Sequence, residues 1–235
     1  MRTFLNILCE GQTEERFVKE ILKEYFKSFD VIVKCVLVTT NRKKDARGGV
    51  VNFQHVKGDL EKWMREVKHK KDELHFFTTM LDLYALPTDF PSYEEAKEKE
   101  PYAKVAIIEE GLRQTISNQN FIPYIQLHEF EALLFADLTK VEAHFQLKAA
   151  DARGLKKALA DHEDNPELVN GGVNTAPSKR IKMAIGGYRK MVGVEILQGI
   201  GLETLCSRCK HFNEWLQKIE MELGGEGSAL GCVTQ

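Results

Sequence analysis

No run of apolar residues in this sequence approaches the roughly 20 needed to cross a bilayer. The stretch Phe4-Leu5-Asn6-Ile7-Leu8-Cys9 meets Glu10, Glu14 and Glu15 too soon to read as a secretion signal. The expectation is a cytoplasmic protein with no membrane partner. Cysteine is scarce: the 5 thiols among 235 residues are odd in number and irregularly spaced, which fits reduced thiols rather than a secreted disulfide framework. The pair at metal-like spacing, Cys206 and Cys209 with His211 close by, lacks the second pair that a four-ligand zinc site requires, so buried helix thiols are the simpler account. Excess charge is missing too. With 33 Lys+Arg against 35 Asp+Glu the formal charge is -2, which argues against gripping nucleic acid by bulk positive charge and leaves local clusters or a metal as the means. There is no glycine-rich phosphate loop with its Lys-Ser/Thr pair and no dinucleotide fingerprint, which weighs against a nucleotide-driven motor or a dehydrogenase.

What is present is an alternation of strand and helix signals. Thr3 to Cys9 reads as a strand ending at Glu10-Gly11, and Thr13 is a candidate N-cap with Glu14 and Glu15 in the first turn. Phe17, Val18, Ile21, Leu22, Tyr25 and Phe26 then recur at helical spacing. The β-branched run from Val31 to Thr40 is a second strand. Phe53 to Lys68 predicts a helix, His75 to Leu81 a third strand closing at Asp82, Ala103 to Ile116 a helix and Phe121 to Leu127 a fourth strand. Beyond Glu129 the signals are helical, with Ser178 to Val192 read as one helix. The expected class is α/β, a mostly parallel central sheet of about four strands flanked by helices, with a helical C-terminal extension. The expected division is residues 1–137 for the α/β domain, 138–223 for the helical extension packed on it and 224–235 for a flexible tail.

Ligands of an open parallel sheet bind outside the carboxyl ends of its strands. Three of the four strands deliver an acid there: Glu10, Asp82, and Glu129 beside His128. One such acid is uninformative, because a chain leaving the core turns polar; three together suggest a metal or acid/base site. Carboxylate oxygens suit Mg²⁺, which is shared with phosphates and activates water for in-line displacement. His128 reads either as a proton shuttle or as a hydrogen-bonded structural residue.

The segment Cys9-Glu10-Gly11-Gln12-Thr13-Glu14-Glu15-Arg16-Phe17 resembles the first motif of Toprim nuclease domains, and Asp82 corresponds to the first acid of the Toprim Asp-x-Asp motif. Together with Leu81 to Pro87, His128 to Phe135 and Ala176 to Ile181, the chain is similar over nearly its whole length to an uncharacterised Toprim-like bacterial family. That family resembles the nuclease modules of OLD-type and PARIS-type defence proteins, which work with ABC-type ATPases. The resemblance implies a Mg²⁺- or Mn²⁺-dependent nuclease acting on DNA or RNA, tRNA included, as an anti-phage effector under a partner ATPase. It leaves homodimerisation open. It also implies Glu10, Asp82 and Lys179 as catalytic residues and Glu10, Glu14, Asp82, Glu129 and Glu131 as metal ligands. Tyr84 stands where the wider pattern has its second Asp, and Glu14, Glu129 or Glu131 is the expected replacement. If none serves, the alternative is a non-catalytic, ATPase-associated binding subunit with a degenerate Toprim site.

Two basic clusters flank the acids: Arg42, Lys43, Lys44 and Arg47 after the second strand, and the acid-free run from Ser178 to Lys190. On one helix Lys179, Lys182 and Arg189 or Lys190 would share a face suited, with Arg180, to a nucleic-acid backbone. A solvated helix face explains the run nearly as well.

Overall fold

The computed structural model describes residues 1–41, 46–47, 49–68, 70–84, 86–170, 172 and 174–224, with backbone alone for residues 40, 41, 46 and 47. Strand β1 (Arg2–Cys9) runs into α1 (Gln12–Phe17), which continues through a π-helical turn (Val18–Leu22) into α2 (Lys23–Phe26). Strand β2 (Val31–Leu37) then pairs parallel to β1, with Ile7 opposite Cys35. A short antiparallel pair, β3 (Thr39–Asn41) and β4 (Ala46–Arg47), precedes α3 (Phe53–Val67). Strand β5 (Glu73–Asp82) lies on the other side of β1, again parallel. After α4 (Tyr93–Ala96) and α5 (Pro101–Thr115), two short strands, β6 (Phe121–Ile122) and β7 (Ile125–Gln126), both pair parallel to β5. The strand order is β2-β1-β5-β6, with β7 also on β5, so the expected parallel α/β sheet is present.

Some local readings change: the strand expected from Val31 to Thr40 ends at Leu37, with Thr39–Asn41 a separate strand. The fourth strand is interrupted because Pro123 has no N–H to give the ladder, and Thr79 takes over: its hydroxyl accepts the Tyr124 N–H at 2.9 Å and donates to the Tyr124 carbonyl at 2.8 Å. The N-cap of α1 is Gly11, not Thr13, and no side chain caps it by hydrogen bond. The Glu14 carboxylate leans over that glycine, where a Cβ would come within 3.0 Å of Oε2.

After β7 the chain is helical: a 3₁₀ stretch (Phe130–Asp137), α6 (Leu138–Phe145), α7 (Ala149–Ala160), a 3₁₀ turn (Pro166–Leu168), α8 (Pro177–Ala184), α9 (Lys190–Ile200), α10 (Leu202–Arg208) and α11 (Lys210–Glu222). The run from Ser178 to Val192 is therefore two helices, parted at Gly186-Gly187, so the basic residues of that run do not share one helix face. Strand alternation sorts the core into two layers. Leu5, Ile7, Cys9, Phe76 and Met80 pack with α1 and the C-terminal helices, while Leu8, Phe77 and Leu81 pack with α3 and α5 on the opposite face. Among the described residues no helix is long and apolar enough to cross a membrane.

Candidate active site

Parallel pairing brings the ends of β1 and β5 to one edge, and their acids arrive together. The Glu10 N–H donates to the Met80 carbonyl at 2.9 Å, while Glu10 Oε2 accepts the Asp82 N–H at 2.8 Å. Asp82 Oδ1 is enclosed with no hydrogen-bond partner among the described residues. Glu14, buried in the first turn of α1, faces the same space. Burial pushes the Asp82 carboxyl well above the usual carboxylate range, and the charges of Glu10, Glu14 and Glu131 add to the rise. Burial likewise raises Glu10, opposed by the Asp82 N–H and by Lys190. Glu14 is raised by burial as well, against the backbone N–H groups at its own position and at Gly11.

The chain after β7 adds a second pair of acids. Glu129 is still extended, at φ -129° and ψ 153°, and Glu131 sits just inside the 3₁₀ stretch. A regular helix through both would turn only one inward; because the helix starts after Glu129, both are buried and both act on Lys190. Their partners differ. Glu129 accepts from the Ser178 N–H at 2.8 Å and from the Ser178 hydroxyl at 3.1 Å, which anchors the first turn of α8 with a carboxylate. Glu131, 1% exposed, lies 3.2 Å from the Lys190 Nζ through each of its oxygens.

Among the described residues, Lys190 is the cation of the cluster. It opens α9, and Arg16 of α1 fixes that end of the helix by donating to the Met191 carbonyl at 2.8 Å and pairing with Glu195 at 3.2 Å. Burial works against the Lys190 charge, but Glu131, Asp82 and Glu129 outweigh it and hold its pKa above the ordinary lysine value. The sequence reading placed Lys190, as an alternative to Arg189, on a backbone-binding face shared with Lys179 and Lys182 and did not foresee its place among the acids; the signal that separates it from Lys179 is the Gly186-Gly187 break. Lys179 and Lys182 are exposed on α8 and, among the described residues, make no side-chain hydrogen bond or ion pair. Arg180 donates from Nε to the Thr175 carbonyl at 2.6 Å, bracing its own helix. Arg42, Lys43 and Lys44 lie outside the described residues, and only the backbone of Arg47 is within them.

His128 takes the structural of its two readings. It is buried at φ 59°, its carbonyl accepts the Tyr84 N–H at 2.7 Å, and its Nδ1 is 3.0 Å from the Asn170 amide nitrogen. Burial, with help from His162 and Lys104, lowers its pKa to about 4, so the ring is neutral at pH 7.

The donor set is all carboxylate oxygen, which suits a hard divalent cation, and the unpaired Asp82 Oδ1 has lone pairs to give. Among the described residues no three His, Cys, Asp or Glu side chains already stand as a metal-binding group.

A family model, Domain of unknown function (DUF4276), matches residues 9–220. No curated protein matches. One solved structure, the C-terminal region of the Burkholderia pseudomallei OLD protein, is similar to this chain at 16% identity and a TM-score of 0.47, covering 94% of this chain and 98% of that one.

Proposed function

The chain belongs to the DUF4276 family, and from that premise we propose that it is a divalent-metal-dependent hydrolase of phosphodiester bonds in DNA or RNA, with a Toprim-like site. The family description states no activity, so the reading rests on one observation. Five buried or half-buried carboxylates and one half-exposed lysine, among the described residues, gather at the carboxyl edge of a parallel sheet and act on one another electrostatically. Buried like charges are costly, and a structural ion pair does not call for five acids around one ammonium.

Glu10, Glu14 and Asp82 would hold the cation, since among the described residues none of their carboxylates has a cationic side chain in direct contact, whereas Glu131 is committed to Lys190 and Glu129 to Ser178. When bound, Mg²⁺ or Mn²⁺ supplies an activated water and neutralises phosphate charge. Lys190 presents its half-exposed ammonium to the negative charge that grows on the phosphate oxygens, and Glu131 keeps that ammonium protonated and aimed. The raised carboxyl pKa values mean that cation binding must displace protons, so affinity rises with pH.

Incubation with plasmid, single-stranded DNA and tRNA in Mg²⁺ or Mn²⁺ tests the reading. Wild-type protein is expected to cleave at least one of them, Glu10→Gln and Asp82→Asn to abolish cleavage, and Lys190→Met to lower kcat roughly 10²-fold. Absent wild-type cleavage, or cleavage that survives Glu10→Gln and Asp82→Asn, sinks it. The second reading, a non-catalytic subunit docked on an ATPase, is favoured by Tyr84 in the place of a second acid and by the commitment of Glu129 and Glu131. Calorimetry separates the two: a binding subunit takes up no Mg²⁺ or Mn²⁺ in an Asp82-dependent manner. The partner ATPase and the defence role rest on the resemblance of the sequence motifs alone, and co-purification of the tagged protein with an ABC-type ATPase from its native host tests the former.

A further inference from the structure

Two enclosed polar atoms, the Tyr188 hydroxyl and Glu131 Oε1, make no hydrogen bond to the described residues, and they are complementary, a donor and an acceptor. Tyr188, 6% exposed, lies in the connection between α8 and α9 with its ring edge-on to Phe145. Its hydroxyl is enclosed and makes no hydrogen bond to any described residue. The helix makes room for that hydroxyl: a Cβ on Gly193 would lie 2.6 Å from it and 3.4 Å from Leu134 Cδ1. A glycine inside a helix and a buried unpaired hydroxyl each destabilise the fold. Both are explained if the hydroxyl has an acceptor in the working protein.

The carboxylates that act on the hydroxyl electrostatically are Glu131 and Glu129. Glu129 already accepts two hydrogen bonds from Ser178. Glu131 Oε2 accepts from Lys190, whereas Oε1, equally far from that nitrogen, receives no directed hydrogen bond and is also enclosed. Neither the hydroxyl nor Oε1 is open to bulk water, and buried polar groups of this kind are as a rule hydrogen-bonded. The terminal torsion of a glutamate is broad and turns at little cost.

We propose that Tyr188 is a positioning residue: its hydroxyl donates to Glu131 Oε1 while Lys190 holds Oε2, so that one short segment clamps both oxygens of Glu131 and thereby aims the Lys190 ammonium into the carboxylate cluster. The catalytic consequence rests on the reading of that cluster as a nuclease site; the clamp itself does not.

Melting temperature and cleavage kinetics of Tyr188→Phe, Glu131→Gln and the double variant test it. Tyr188→Phe is expected to melt lower than wild type and to lose several-fold in kcat with KM unchanged. In the Glu131→Gln background the same substitution is expected to cost little more, because the two groups act as a unit. Gly193→Ala, which drives the hydroxyl from its seat, is expected to reproduce the kcat loss. A Tyr188→Phe protein that melts at or above the wild-type temperature, or effects that add fully in the double variant, overturns the proposal. If no variant or wild type cleaves anything, the nuclease reading fails, and the melting-temperature cycle still decides the clamp.

Discussion

At the scale of single residues, the cluster separates acids that the sequence presents as equivalents. Glu10 and Asp82 were legible because a strand-end acid is a position in a pattern, and parallel pairing of β1 with β5 makes that position shared. Lys190 was not legible, since a lysine in a basic run carries no mark of what it faces. His128 illustrates the same limit from the other side: its neighbour Glu129 suggests chemistry, while the left-handed backbone and the Asn170 contact make it a structural neutral imidazole. Its folded pKa of about 4 lies below the ordinary histidine value of 6.5, so the unfolded chain binds the extra proton and stability rises with pH. The contribution is complete above the unfolded pKa and is lost as pH falls toward 4, with a slope of up to about 1.4 kcal/mol per pH unit. Urea unfolding between pH 4 and 7 is expected to show that slope as the difference between wild type and His128→Asn, asparagine being tolerant of the left-handed backbone. A difference that does not change with pH contradicts it.

Among the elements, β1, β2, β5 and α3 follow from periodicity because each keeps one pattern throughout its length. The failures lie where one residue interrupts a pattern, as Pro123 does between β6 and β7 and Gly186-Gly187 does between α8 and α9. The anchoring of α8 was legible only in part. Ser178 reads as a helix-start residue, but its hydroxyl serves a carboxylate 49 positions earlier rather than its own backbone. Glu129→Gln is therefore expected to destabilise the fold by about 1–3 kcal/mol, the cost of weakening charge-assisted bonds at a buried helix end. Mg²⁺ affinity by calorimetry is expected to stay near the wild-type value. Unchanged unfolding with a large loss of affinity would instead make Glu129 a ligand.

At the scale of the whole molecule, near-neutral net charge conceals a strongly acidic interior at one sheet edge. Glu10, Glu14, Asp82 and Glu131 all have folded pKa values above the unfolded ones, so the folded state holds more protons and these groups lower stability as pH rises beyond the ordinary carboxylate range. Thermal melts without divalent cation are expected to show this fall, with added Mg²⁺ raising the melting temperature more at pH 8 than at pH 6 and Asp82→Asn erasing the difference. An Mg²⁺ increment independent of pH would contradict both the coupling and the cation site. The sheet and the C-terminal helices share one apolar cluster, and its late contributor is Trp215, whose indole N–H donates to the Thr78 hydroxyl on β5 at 2.9 Å while its ring stacks on Tyr124 at 4.3 Å. Synthesis order gives that contact a consequence. A nascent chain that has released β1, β5 and Lys190 from the ribosome still has Tyr124 uncovered, and the central strand is sealed only when α11 emerges. A chain cut short before α11 would leave the Tyr124 ring and the Thr78 hydroxyl without the indole that covers them.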